Sequence, residues 1–224
     1  MKRFLLIGFL FASSQAKCQM SNDKLFNEVK TKLNDHVSVS TVLSDPKYQA
    51  LHPESSFRDL IKAHCDNKPL AITTANEPGK RIKVIGIVKN DTGAPVTDVV
   101  VYLYQTDSRG WYAADAPHIT SNSGDMGHAR LFGYVRTDEN GRFELHTVKP
   151  AGYPKSDLPA HIHVQVEVPG YAAFVSEFLF DDDERLKGNI RSNAVANQFL
   201  ISKPEKAPAP FQQQFSYDIV LRKE

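Results

Sequence analysis

Along this chain the spacing of apolar residues changes character once. Over residues 22–78 the spacing reads as helical. Leu25, Phe26, Val29 and Leu33 fall near one helix face behind Ser21 and Asn22, which are suited to cap a first turn. Phe57, Leu60, Ile61 and His64 recur at i, i+3, i+4 and i+7 behind Ser55 and Ser56. From Lys80 onward the period is that of strands. Ile82–Val88, Val99–Tyr104, Gly133–Thr137, Phe143–Val148, His161–Val168, Ala173–Phe180 and Phe215–Leu221 are rich in β-branched and aromatic residues. Asn90-Asp91-Thr92-Gly93, Ser108-Arg109-Gly110, Asp138-Glu139-Asn140-Gly141 and Pro169-Gly170 separate them as turns. Short strands with few helices between them predict a mainly β protein: an antiparallel-rich β-sandwich over 79–224, preceded by a short helical segment over 19–78. Lys203–Phe211, with three prolines, reads as a surface loop.

The first eighteen residues stand apart. Lys2 and Arg3 precede the apolar run Phe4–Ala12, and Ser13 and Ser14 follow it. A basic start, a short apolar core and a small-residue exit predict a signal peptide over 1–18, cleaved after Ala16 or Cys18, on a protein that is secreted or periplasmic. The run is too short to span a bilayer, and nothing after it is long and apolar enough. Only Cys18 and Cys65 are present, so no disulfide framework holds the fold; Cys65 reads as a small buried hydrophobe. Lys and Arg number 27 against 26 Asp and Glu, with no basic run, which leaves no footprint for nucleic acid. Loss of Lys2, Arg3 and Lys17 with the signal brings the balance to 24 − 26 = −2.

Chemistry gathers at His161-Ile162-His163. On a strand, residues i and i+2 share a face, so both imidazoles point one way while Ile162, Val164, Val166 and Val168 take the core side. Upstream, Lys149-Pro150-Ala151-Gly152-Tyr153-Pro154 forms a rigid turn that brings Tyr153 close to the start of that strand. Tyr112 follows another strand and a turn through Gly110. Two phenols and two imidazoles would make a hard, anionic donor set suited to a trivalent ion, with ferric iron the natural candidate. Zinc or copper on His161 and His163 alone is the other metal reading, and it leaves the tyrosines without a role. His118 and His128 flank a polar loop, 120–127, and read first as solvated loop histidines, with a loop overhanging the metal as the other reading, while His36, His52 and His146 join no constellation.

Residues from about Ile82 to Asp183 resemble the catalytic domain of the intradiol ring-cleavage dioxygenases, the catechol and protocatechuate 3,4-dioxygenase group. The landmarks run in order: Gly93-Ala94-Pro95-Val96, Val101-Tyr102-Leu103-Tyr104-Gln105, Gly110-Trp111-Tyr112, Thr137 to Phe143, Val148 to Pro154, and Pro159-Ala160-His161-Ile162-His163. The resemblance implies non-haem Fe(III) ligated by Tyr112, Tyr153, His161 and His163. It implies that Tyr112 stays bound while Tyr153 is axial, leaves when substrate chelates the metal, and accepts a diol proton. The implied substrates are a small aromatic diol and O2, in aromatic compound catabolism; charge and apolar-run length add the expectation of no nucleic acid and no membrane span, and a homo-oligomer is admitted. Two positions depart from the family pattern: Leu158 stands where an arginine is usual, and Glu177 where a glutamine is usual. Arg109, Arg130 and Arg136 are the candidates to replace the missing cation. The weaker Thr137–Phe143 signature is shared with non-catalytic sandwiches of the carboxypeptidase-regulatory kind, so a secreted binding module is the rival expectation.

Overall fold

The computed structural model describes residues 21–113 and 129–224. Helix α1, described over 21–34, is followed by α2 (Val39–Ser44), a 3-10 turn (Pro46–Leu51) and α3 (Ser55–Ala63). Ser38 caps α2 by accepting the Thr41 N–H at 3.2 Å, and Asp45 caps the 3-10 turn through Lys47 N–H. The expected helical period holds to Ala63 and no further. Residues 64–78 carry no helix; they pass through turns and bends, and Leu70–Ala71 forms a short strand, β1. Pro69 and Pro78 oppose a helix there. Leu70 and Ile72 instead bury against Gly133, while β1 pairs in parallel with β5 at Leu145 and His146.

The strands that follow are β2 (Arg81–Asn90), β3 (Val100–Gln105), β4 (Leu131–Arg136), β5 (Arg142–Val148), β6 (His161–Val166), β7 (Phe174–Phe180), β8 (Leu200–Ser202) and β9 (Gln213–Leu221). They form a β-sandwich of two sheets, ordered β1-β5-β2-β9 and β4-β3-β6-β7-β8. Most pairings are antiparallel; β1 with β5, β2 with β9 and β7 with β8 are parallel. Period-2 alternation decides the inner faces. Phe215, Tyr217, Ile219 and Leu221 of β9 are buried against Val101, Leu103, Ile162, Val164 and Phe178 of the other sheet within one cluster. Val29, Leu33, Val42, Phe57 and Ile61 of the helices belong to the same cluster, so the helical segment shares the sandwich core.

A helix, α4 (Gly188–Ala196), lies between β7 and β8 and was not expected. Only Ala194 on it is buried, so its sequence carries no apolar stripe. Ala194 and the partly buried Ile190 pack with Leu186, just before the helix, and Leu179 in a small separate cluster. Cys65 is a free, buried thiol, as expected of a small hydrophobe.

Candidate metal centre

Three backbone segments meet at one end of the five-stranded sheet. In β6 the residues Ile162, Val164 and Val166 are sealed in the core, which forces His161 and His163 onto the outer face. The loop after β3 is folded on Asp107. Its carboxylate accepts the N–H groups of Arg109 at 2.8 Å and Trp111 at 3.1 Å, and its carbonyl accepts Gly110 N–H. That turn delivers Tyr112 inward, 4% exposed. The third segment runs from Lys149 to Pro159. Ala151 is tied to the Tyr112 turn twice, donating its N–H to the Asp107 carbonyl at 3.0 Å and accepting Thr106 Oγ1–H at 2.7 Å. Tyr153 follows directly and its ring lies edge-on to His161.

The four polar atoms converge. Tyr112 Oη lies 2.7 Å from Tyr153 Oη and 2.9 Å from His163 Nε2. Tyr153 Oη lies 3.0 Å from His161 Nε2 and 3.4 Å from His163 Nε2. Donors held about 2.0–2.2 Å from one ion stand roughly 3 Å from one another, so the observed spacings suit a single metal. His161 is prepared for that role. Its Nδ1–H donates to the Pro159 carbonyl at 2.8 Å, and a carbonyl can only accept, so the lone pair is on Nε2 and faces the cluster. His163 is held differently: Tyr104 stacks on its ring, centroids 4.3 Å apart and 10° from parallel. Tyr104 lies opposite His163 across the β3–β6 ladder. Its role was invisible beforehand because strand pairing is set by the whole sheet.

Glu177, on β7, lies opposite His163 in the ladder, and its Oε1 stands 3.8 Å from His163 Nδ1. That is beyond hydrogen-bond range but close enough for the charge to be felt. His161, His163 and Glu177 also form a group whose ligand-type atoms lie within 4.8 Å of one another. Leu158 is half exposed at 50% and adds no polar atom to the cluster.

The three candidate arginines are engaged elsewhere. Arg130 makes a two-pronged pair with Glu77 at 2.7 Å. Arg109 pairs with Asp107 and lies over the Trp111 ring, and Arg136 pairs with Asp98. A cation that does reach the departure is Arg185, whose Nη1 donates to the Tyr153 carbonyl at 3.3 Å and the Leu158 carbonyl at 3.2 Å. His118, His128 and their loop, like the segment 1–18, lie outside the described residues. His52, which joined no constellation, is buried between Phe57, on which it stacks, and Phe132, which it meets edge-on. It donates Nδ1–H to the Arg130 carbonyl at 2.7 Å, and burial pulls its pKa down to about 4. Arg58 of α3, also buried, donates to Tyr102 Oη at 2.9 Å and to the Ala129 carbonyl at 2.6 Å. A cavity of about 660 Å³ opens beside Tyr102 and Tyr134 at the far end of the same sheet face, and none of the four donors lines it.

Fold and donor set together define a class: a β-sandwich protein with a candidate tyrosine–histidine metal centre on the outer face of one sheet. Residues 55–223 match the family model described as Dioxygenase, and the chain belongs to the intradiol ring-cleavage dioxygenase family, whose metal is non-haem iron(III). It is 30% identical to the protocatechuate 3,4-dioxygenase beta chain of Burkholderia cepacia over 76% of either chain. It is 27% identical to a chlorocatechol 1,2-dioxygenase of Rhodococcus opacus over 57% of this chain and 53% of that one, so it spans about half the length of that relative. A solved 3-chlorocatechol 1,2-dioxygenase from Rhodococcus opacus has the same fold, with a TM-score of 0.55, 20% identity, and 98% and 97% of the two chains covered.

Proposed function

We propose that this chain is an exported non-haem iron(III) dioxygenase that opens catechol-type rings between the two hydroxylated carbons. Both atoms of O2 would enter a muconate-type diacid. The observation that carries the reading is the meeting of Tyr112, Tyr153, His161 and His163 at 2.7–3.4 Å, with the His161 lone pair already aimed inward.

Iron(III) bound by these four residues would supply Lewis acidity toward the diol oxygens and let the electron-rich ring react with O2. The remaining work falls to the chain. Tyr112, deeply buried, and His161, locked by Pro159, are the fixed members. Tyr153 is only partly buried and sits on a loop, so its phenolate is the group placed to take a diol proton and swing away. Glu177 sets a negative charge beside His163, and Leu158 contributes no positive one. Short-range repulsion therefore disfavours a diol carrying a ring carboxylate, and electron-rich plain, alkyl- or hydroxy-catechols are the expected substrates.

Oxygen uptake by iron-loaded protein across a catechol panel, with product identified by mass, tests the reading. The iron-loaded protein should be red-brown from tyrosinate-to-iron charge transfer. No turnover of any catechol would favour the secreted binding module, a reading that leaves the four-donor cluster unexplained. A colourless protein holding zinc after iron-replete expression would sink the ferric assignment. Export rests on Lys2, Arg3 and the Phe4–Ala12 run; the mature chain should begin at residue 17 or 19 and be recovered outside the cytoplasm.

A further inference from the structure

The loop that carries Tyr153 is gripped from below by the turn that follows β7, Asp181-Asp182-Asp183-Glu184-Arg185. Lys149, at the loop's start, donates Nζ–H to Asp182 at 2.6 Å. At its end, Ala160 N–H donates to Asp183 Oδ2 at 2.9 Å, one residue before His161. The other oxygen of Asp183 accepts Arg185 N–H at 2.8 Å, which sets the turn so that the Arg185 side chain reaches back under the loop. There Nη1 spans two carbonyls, those of Tyr153 and Leu158. No ion pair joins Arg185 to a carboxylate among the described residues. The grip is tight at Gly152, where an added Cβ would stand 2.1 Å from the Leu158 carbonyl oxygen and 2.5 Å from Arg185 Nη1.

We propose that Arg185 is a positioning residue for Tyr153, holding that tyrosine's backbone at the point where this chain lacks the family's arginine. The proposal rests on the dioxygenase reading of the same site. A positive charge shared by the two carbonyls closes the loop like a staple, with Tyr153 at one end and Leu158 at the other. The phenol then projects to its place 2.7 Å from Tyr112 Oη and 3.0 Å from His161 Nε2. Without the staple the loop keeps the Ser156 N–H bond to the Tyr153 carbonyl and the Ser156 Oγ bond to Leu158 N–H, so it still turns but no longer fixes the phenol. Arg185 is exposed, and its removal leaves the sandwich core untouched.

The test compares wild type, Arg185→Met and Arg185→Lys as full-length, iron-loaded protein. Arg185→Met should shift or weaken the tyrosinate-to-iron band, raise the iron dissociation constant roughly ten-fold, and lower kcat by a similar factor with little change in KM. Its melting curve should stay near that of wild type. Arg185→Lys, which keeps a donor and the charge, should restore most of the band. A wild-type band with an unchanged spectrum and unchanged iron affinity in Arg185→Met overturns the positioning role while leaving the dioxygenase reading intact. A parallel loss of melting temperature and spectrum in both variants, with no recovery in Arg185→Lys, assigns Arg185 to general stability and overturns it as well. Absence of any tyrosinate band from wild type fails the dioxygenase reading instead.

Discussion

At the scale of single residues, the two tyrosines differ in how firmly they are held. Tyr112 is buried and bonded on both sides, to Tyr153 Oη and His163 Nε2, while Tyr153 is partly buried on a loop. Tyr112→Phe should therefore lower iron content strongly, whereas Tyr153→Phe should keep more iron but lose part of the visible band and most of the turnover; metal analysis alongside absorbance separates the two. Glu177 invites a second substitution. Glu177→Gln removes a negative charge 3.8 Å from His163 Nδ1 without changing the side chain's length. If the charge sets substrate preference, the ratio of catechol to protocatechuate turnover should fall toward unity in the variant. An unchanged ratio in kcat/KM would place the discrimination elsewhere. The residue types at these positions were readable in advance, because His-x-His on a strand and a tyrosine in a proline-bounded turn are local patterns. The stacking of Tyr104 on His163 and the reach of Arg185 were not, since each joins residues brought together by strand pairing or by a return loop.

At the scale of elements, strand length decided what could be anticipated. The seven longer strands declare themselves by alternation, and the edge strands β1 and β8, of two and three residues, are too short to do so. Both exist because a longer neighbour, β5 or β7, offers an unpaired edge. Gly86 in β2 shows the opposite case, a residue whose reason lies across the strand pair. It sits opposite Phe143, and a Cβ there would stand 2.1 Å from the ring. Gly86→Ala should push the buried ring aside and cost about 1–3 kcal/mol, visible as a lower denaturant midpoint at unchanged slope.

At the scale of the whole molecule, one core runs from the helices through both sheets, so the helical segment and the metal-bearing sheet are expected to unfold together. His52 sits at their junction, stacked on Phe57 of the helices and edge-on to Phe132 of the sheet. Its folded pKa of about 4 lies below the ordinary 6.5, so the unfolded chain binds its proton first. The stability this group contributes is fully present above pH 6.5 and is lost as the pH falls toward 4, by up to about 3 kcal/mol. Thermal melts between pH 7 and 4 should show that decline, and His52→Gln should flatten it; an equally steep decline in the variant would assign it to other groups. The acidic side of the curve extends lower through Glu144. Its pKa is drawn down to about 2 because bonds from His146, Arg142 and Lys83 outweigh its partial burial. The chain's own pattern was enough to specify alternating strands, the placement of both histidines on one face and the turn that carries Tyr153, because period and turn chemistry act over a few neighbouring residues. Folding in three dimensions was needed to choose the strand order, to set the phenols within 3 Å of each other, and to bring Arg185 under a loop more than twenty residues upstream. Those outcomes depend on which surfaces bury against which, and that is a property of the whole core rather than of any segment.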